Sequence, residues 1–108
     1  MIIELVKKLE KAGYIPVFLT GRRELCRFKT IQWFCKYAPD FADYALFMRK
    51  DNDLRHDTEV KPEKLEELHK RGHIAKEDIA FILEDRTSMV KKWRELGYTC
   101  LQVADGDF

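Results

Sequence analysis

No stretch of this 108-residue chain approaches the roughly 18 consecutive apolar residues that a membrane-spanning helix needs, and runs such as Ile79–Leu83 stop after a few positions. Met1 is followed by no signal-peptide pattern, and there is no CxxC pair or even set of cysteines to suggest a disulfide framework. These absences lead to the expectation of an intracellular, cytoplasmic protein with no membrane attachment. Cys26, Cys35 and Cys100 lie among apolar neighbours and are expected to be small core residues. Repeats, linkers and low-complexity segments are also missing, so residues 1–108 are expected to form a single domain.

What is present is an ordinary globular composition, 45% hydrophobic and 36% charged, which excludes intrinsic disorder. The net charge is only +1, yet residues 1–38 hold eight Lys/Arg against three Asp/Glu, while residues 39–108 hold twelve against sixteen. A basic front end suits phosphate-bearing partners, although asymmetry of this size is also common in solvated helices.

Apolar residues at helical spacing, Ile2, Leu5, Val6 and Leu9, predict a helix that stops at Gly13. Tyr14–Leu19 reads as a strand leading into the polar triplet Thr20-Gly21-Arg22. A second helix is expected from about Arg23 to Tyr37, a strand from Tyr44 to Met48, a polar segment from Arg49 to Asp57, and a helix from Pro62 to Arg71 that ends at Gly72. Ile79–Leu83 shows no polar alternation and reads as a strand buried on both faces. It runs directly into Glu84-Asp85, and a helix from Thr87 to Leu96 and a strand from Tyr98 to Val103 follow. Helices alternating with apolar strands imply an α/β fold with a mostly parallel sheet of about four strands, covered by helices on both faces.

In such sheets ligands bind beyond the carboxyl ends of the strands. Three of those ends are polar here: Thr20-Gly21-Arg22, Arg49-Lys50-Asp51 and Glu84-Asp85-Arg86. A hydroxyl, a glycine and a guanidinium suit a phosphoryl group, because Arg binds two oxygens at once and Gly lets backbone N–H groups approach. Adjacent carboxylates suit Mg²⁺, which takes one or two carboxylates together with phosphate and water. Taken singly, each end also fits a purely structural role, such as capping the next helix.

In combination these segments resemble the haloacid dehalogenase (HAD) phosphohydrolase superfamily, and within it the phosphatase domain of bacteriophage polynucleotide kinase-phosphatases. Thr20, Lys61 and Glu84-Asp85 occupy the places of that superfamily's second, third and fourth motifs in order. The closer likeness lies in Phe18-Leu19-Thr20-Gly21-Arg22, in Arg49, and in Asp53-Leu54-Arg55-His56-Asp57 running up to Val60-Lys61. It continues in Glu84-Asp85-Arg86-Thr87 with Trp93-Arg94, and in the ending Gln102-Val103-Ala104-Asp105-Gly106-Asp107-Phe108.

The resemblance implies a HAD-like, Rossmann-type sheet and Mg²⁺-dependent hydrolysis of phosphomonoesters at nucleic-acid 3′ ends or on nucleotides, through an aspartyl-phosphate. By position, Thr20 and Lys61 would hold phosphoryl oxygens. Gly21, Arg22, Arg49 and Arg55 would engage phosphate and the nucleic-acid backbone. Asp85, with Glu84 beside it where this family tends to have Asp, would hold Mg²⁺.

The family's first motif, Asp-x-Asp at the end of the first strand, has no counterpart in register. Asp51-Asn52-Asp53 falls in the loop matched before Lys61, and Asp105-Gly106-Asp107 ends the chain. The chain by itself is therefore expected to lack both the nucleophile and the central first strand, and to be inactive alone. Without that strand, those ending at Thr20 and Asp85 would lie about twice the 4.8 Å strand spacing apart. They would then have to pair directly, accept a strand from a partner chain, or exchange elements in a homo-oligomer. Two non-catalytic alternatives remain open: a module that binds phosphate or nucleic-acid ends, and a subunit that completes a partner's sheet.

Among the other residues, His69 and His73 are expected at the surface rather than on a metal, and His56 in a solvated loop. Trp33 and Trp93 are expected in helix–sheet packing rather than in base stacking. Asp57 is expected to cap the turn toward Lys61 or to orient Arg55.

Overall fold

The computed structural model describes residues 2–104. They divide into two compact units, residues 1–54 and residues 55–108, each with its own parallel two-stranded ladder. The ending 105–108, which contains the Asp105-Gly106-Asp107 pair, lies outside the described residues. None of the described helices is long and apolar enough to cross a membrane.

The first unit opens with α1 (Ile2–Lys11), followed by β1 (Phe18–Arg23), a 3-10 turn over Glu24–Cys26, α2 (Arg27–Tyr37), a second 3-10 turn over Pro39–Phe41, and β2 (Leu46–Arg49). Its core is aromatic. Phe34, Ala38 and Phe41 are buried, and Ile3, Val6, Phe18, Tyr44 and Leu46 pack against them. The Phe18 ring meets Phe34 at 4.8 Å and Phe41 at 5.8 Å between centroids. The Tyr44 hydroxyl donates to Glu10, tying α1 to the segment that precedes β2.

The second unit runs through α3 (Asp57–Lys70), a 3-10 turn over Lys76–Asp78, β3 (Ile82–Glu84), α4 (Thr87–Glu95) and β4 (Cys100–Gln102). Val60, Leu65 and Leu68 on α3, Met89, Val90 and Trp93 on α4, and Cys100 on β4 are its buried apolar residues. Tyr98 is a junction in this unit. Its ring meets Trp93 edge to face at 5.6 Å, its hydroxyl lies 2.9 Å from His69 Nε2, and Lys76 Nζ sits 4.9 Å above it.

The expected stops at Gly13 and Gly72 hold, and Gly97 ends α4 by the same mechanism. Gly13, Gly72 and Gly97 have φ of +105°, +73° and +92°, a region costly for any residue with a Cβ. In each case the glycine N–H bonds three residues back and the next N–H five residues back, as in Tyr14 N to Leu9 O at 3.1 Å. That closes the last turns of α1, α3 and α4.

Several boundaries differ from expectation. β1 begins four residues later than the apolar run and takes in Thr20-Gly21-Arg22, so the polar triplet is strand rather than loop. Arg49 closes β2 instead of opening a polar segment. α3 starts at Asp57, not Pro62: His56 Nδ1 accepts the Thr58 N–H at 3.2 Å, and Asp57 and Glu59 fill the first turn. This cap and the favourable charge at a helix N-terminus outweigh the interior Pro62, whose cost is one missing backbone bond. β3 is confined to Ile82–Glu84, with Ala80 exposed, so the run is not buried on both faces.

Among the described residues each unit pairs its own two strands in parallel, β1 with β2 and β3 with β4.

Three core assignments also change. Cys35 is exposed and Cys26 half-buried, leaving Cys100 as the buried cysteine. Trp33 is 45% exposed whereas Trp93 is 2% exposed. His69 is part-buried, its Nδ1 facing the Ile74 carbonyl and its Nε2 facing Tyr98, so it is a structural tie rather than a surface residue.

Thiol labelling of the native chain should proceed in three phases, Cys35 first, Cys26 next and Cys100 only on unfolding. Burial pushes the Cys100 thiol up, with Glu84 adding to the shift and Arg94 opposing it. A single fast phase of three thiols would contradict the packing of β4. Burial, and then Glu66, likewise raise the Tyr98 phenol. Both groups hold their protons more tightly folded than unfolded. Stability should therefore be intact below the ordinary thiol and phenol values, about 8.5 and 10, and fall as pH rises through the folded ones, readable in urea midpoints from pH 7 to 11.

Candidate phosphate-handling site

The first unit places its candidate residues at the C-terminal ends of β1 and β2. Ladder register runs Phe18↔Leu46 and Leu19↔Phe47, then resumes at Arg23↔Arg49. Between these pairs β1 has three residues, Thr20-Gly21-Arg22, where β2 has only Met48, and the triplet forms the irregularity. Bulges of this kind re-aim side chains at sheet rims. Within this one, Thr20 Oγ1 accepts the Arg22 N–H at 3.2 Å, leaving its hydroxyl proton to donate elsewhere.

Arg22 is anchored on one side. Its Nη1 donates at 2.9 Å to Oγ1 of the buried Thr30, which donates in turn to the Cys26 carbonyl at 2.9 Å. The remaining guanidinium hydrogens belong to an exposed residue. Arg23 and Arg49 face each other in the ladder, a like-charged pair that costs energy unless an anion or an acceptor lies nearby. Arg49 Nη1 donates to the Asp53 carbonyl at 3.2 Å, and Asp51 Oδ1 accepts the Leu25 N–H at 2.8 Å. Asp51 thus caps the turn after β1, a structural duty for a residue of the Asp51-Asn52-Asp53 pair. Arg27 forms two bonds with Glu24, at 2.7 and 2.9 Å, which raise its already high pKa against the opposing effect of burial, and it also donates to the Leu46 carbonyl.

The second unit brings Lys61, Glu84 and Asp85 together. Lys61 Nζ, on the second turn of α3, lies 3.1 Å from Glu84 Oε1 at the end of β3, with the two side chains 13% and 9% exposed. Glu84 Oε2 accepts the Asp85 N–H at 3.1 Å, so both carboxylate oxygens are engaged. The Asp85 residue itself is exposed. Beside them Arg86 Nη1 pairs with Asp57 Oδ2 at 3.0 Å, and Gln102 Nε2 donates to the Asp85 carbonyl and to Thr87 Oγ1, both at 3.0 Å. Arg55 pairs with Glu63 at 2.7 Å. Asp57 occupies the first position of α3 and holds Arg86.

Sequence reasoning missed the Asp57–Arg86 pair and the Gln102 bridge. Arg86 directly follows the paired acids, but nothing local showed that α3 begins early enough to present Asp57. As a metal site the donor set is small. Among the described residues no cluster of three or more His, Cys, Asp or Glu is placed to hold a cation. Asp85 alone has the exposed carboxylate that Mg²⁺ takes together with water and phosphate, and Glu84 is committed to Lys61 and the Asp85 amide.

A family model described as the polynucleotide kinase PNKP phosphatase domain matches residues 1–108. A protein of Autographa californica nuclear polyhedrosis virus, described as a bifunctional polynucleotide kinase/RNA ligase, is 35% identical over 82 residues, 76% of this chain and 11% of its own length. Two solved structures of the Pnkp1/Rnl/Hen1 complex, one titled as an RNA repair complex, contain similar chains. They share 34% and 35% identity over 99% of this chain, with TM-scores of 0.79 and 0.81. This chain spans 33% and 36% of those chains.

Lys61→Ala or Glu84→Ala should each destabilise the protein by about 3 kcal/mol, because each strands a mostly buried charge. The double replacement Lys61→Ala, Glu84→Ala should cost clearly less than the sum. Urea unfolding of the four proteins in the cycle measures this, and additive losses would show that the ion pair is not coupled.

Proposed function

This chain belongs to the phosphatase-domain family of polynucleotide kinase PNKP, and on that premise we propose that it serves hydrolysis of phosphomonoesters at nucleic-acid ends, 3′-phosphates above all. The observation that carries this reading is the Lys61–Glu84 pair, which holds an ammonium at the carboxyl end of β3 beside the exposed Asp85. In the HAD-like arrangement proposed here, Lys61 and the Thr20 hydroxyl bind phosphoryl oxygens. Gly21 lets the β1 backbone come close, and Arg22 and Arg49 engage phosphate and strand backbone. Such groups work by positioning and by neutralising charge that builds on the equatorial oxygens.

Asp85 is the residue that fits Mg²⁺, and Glu84 acts by fixing Lys61. Bound there, the cation would supply further charge neutralisation on the same oxygens. Arg55, paired with Glu63, contributes charge at the rim rather than a direct grip. Asp51-Asn52-Asp53 follows β2, but Asp51 is committed to the Leu25 amide, so the reading assigns the nucleophile to a strand outside the described residues, whether of the same polypeptide or of a partner chain. The setting of the solved relatives favours RNA ends as substrate and an assembly with other repair proteins as the working context.

Two measurements test this. The chain should bind a 3′-phosphorylated oligonucleotide at least tenfold more tightly than its 3′-hydroxyl twin, and Thr20→Ala or Lys61→Ala should erase the difference. Phosphate release in Mg²⁺ should be absent with the chain alone and appear when a polypeptide bearing the Asp-x-Asp strand is added. Equal affinity for the two ends would overturn the phosphate-gripping role. Turnover by the chain alone would relocate the nucleophile.

A further inference from the structure

One outer face of α2 carries large rings that the core does not use. Trp33 is 45% exposed and Tyr37 52%. Trp33 and Tyr37 are not loose side chains. The Trp33 ring stands edge to face on the buried Phe34 at 5.4 Å, and Tyr37 lies 5.4 Å from Trp33 at 44°. Phe34 is itself locked by Phe18, so a chain of ring contacts runs from the core of the first unit out to solvent. An indole held in this way presents its free surface in a fixed orientation.

The charges on this helix have one sign. α2 contains Arg27, Lys29 and Lys36 and no acidic residue, and Lys36 Nζ sits 5.2 Å from the Tyr37 ring centre. Lys29 and Lys36 are both exposed, among the aromatic residues. Lysine is depleted at protein–protein interfaces, whereas alternating cations and flat rings match a strand of phosphates and bases.

We propose that the Trp33–Tyr37 face of α2 is a stacking platform for single-stranded nucleic acid, with Lys29 and Lys36 neutralising its phosphates. The platform rests on the reading that nucleic acid is the substrate. It does not rest on which terminal group the strand carries, because the recognised elements are bases and internal phosphates. It would hold the strand independently of its end and tolerate any sequence, since every base offers a π-face.

The probe is an oligothymidylate of about ten nucleotides ending in a 3′-hydroxyl, within the range that single-strand binding surfaces cover. Binding should quench the emission of Trp33 while Trp93 stays buried and silent. Trp33→Ala and, separately, Tyr37→Ala should each weaken binding fivefold or more with unchanged thermal unfolding. Lys29→Ala with Lys36→Ala should lower the slope of log affinity against log salt by about 1.4. An abasic sugar–phosphate strand should bind the wild type and Trp33→Ala alike.

Unchanged affinity in both aromatic variants would overturn the platform. So would a concentration-dependent dimer that dissolves in Trp33→Ala, since it would give this face to a second copy of the chain. Loss of the 3′-phosphate preference with oligothymidylate binding retained would instead count against the phosphatase reading alone.

Discussion

The second unit is organised around one constraint: Glu84 is a buried carboxylate at the end of β3 and has to be satisfied where it sits. Lys61 and the Asp85 amide do this, one for each oxygen. Meeting the constraint fixes much else. α3 has to start early enough to bring Lys61 up to β3, and the backbone beyond Glu84 has to turn so that its own N–H points back. Asp85 is left facing outward. The neighbouring Asp57–Arg86 pair lies across the same two elements, so α3 and the β3–α4 turn are fastened twice by opposite charges. Buried ion pairs of this kind give little net stability, yet they define which residues face which.

The sequence was most legible where a single local rule decided the outcome. Apolar spacing located α1, α2 and α4, and glycine located the ends of α1 and α3. It misled where two rules competed. Pro62 reads as a helix start, but His56 can cap and Asp57 and Glu59 favour an N-terminus, so the helix begins five residues earlier. The apolar run Tyr14–Leu19 reads as strand, yet only Phe18 and Leu19 of it find ladder partners on β2, and the strand continues through polar residues that a hydrophobic pattern cannot mark. Burial was misjudged for Trp33 and Cys35 because helical spacing says which residues share a face and not whether that face is covered.

The candidate site was legible as a set of strand ends and not as a set of contacts. Thr20, Arg22, Arg49, Lys61, Glu84 and Asp85 were all picked out from positions in the chain. That Glu84 answers to Lys61, that Arg55 turns to Glu63, and that Thr30 holds Arg22 depend on which side chains meet in space. The family likeness supplied the order of the residues, and the structure supplied the division of labour between the two adjacent acids.

The four strands are three to six residues long, and each ladder has only two members. Open ladder edges invite pairing with other molecules, and the hazard grows with the length of unpaired backbone. A three-residue strand such as β3 or β4 offers a foreign chain too few hydrogen bonds to seed a growing fibril. Brevity therefore works as a safeguard in a crowded solution: these edges can accept one specific strand that brings its own side-chain contacts, while indiscriminate cross-β assembly gains little from them.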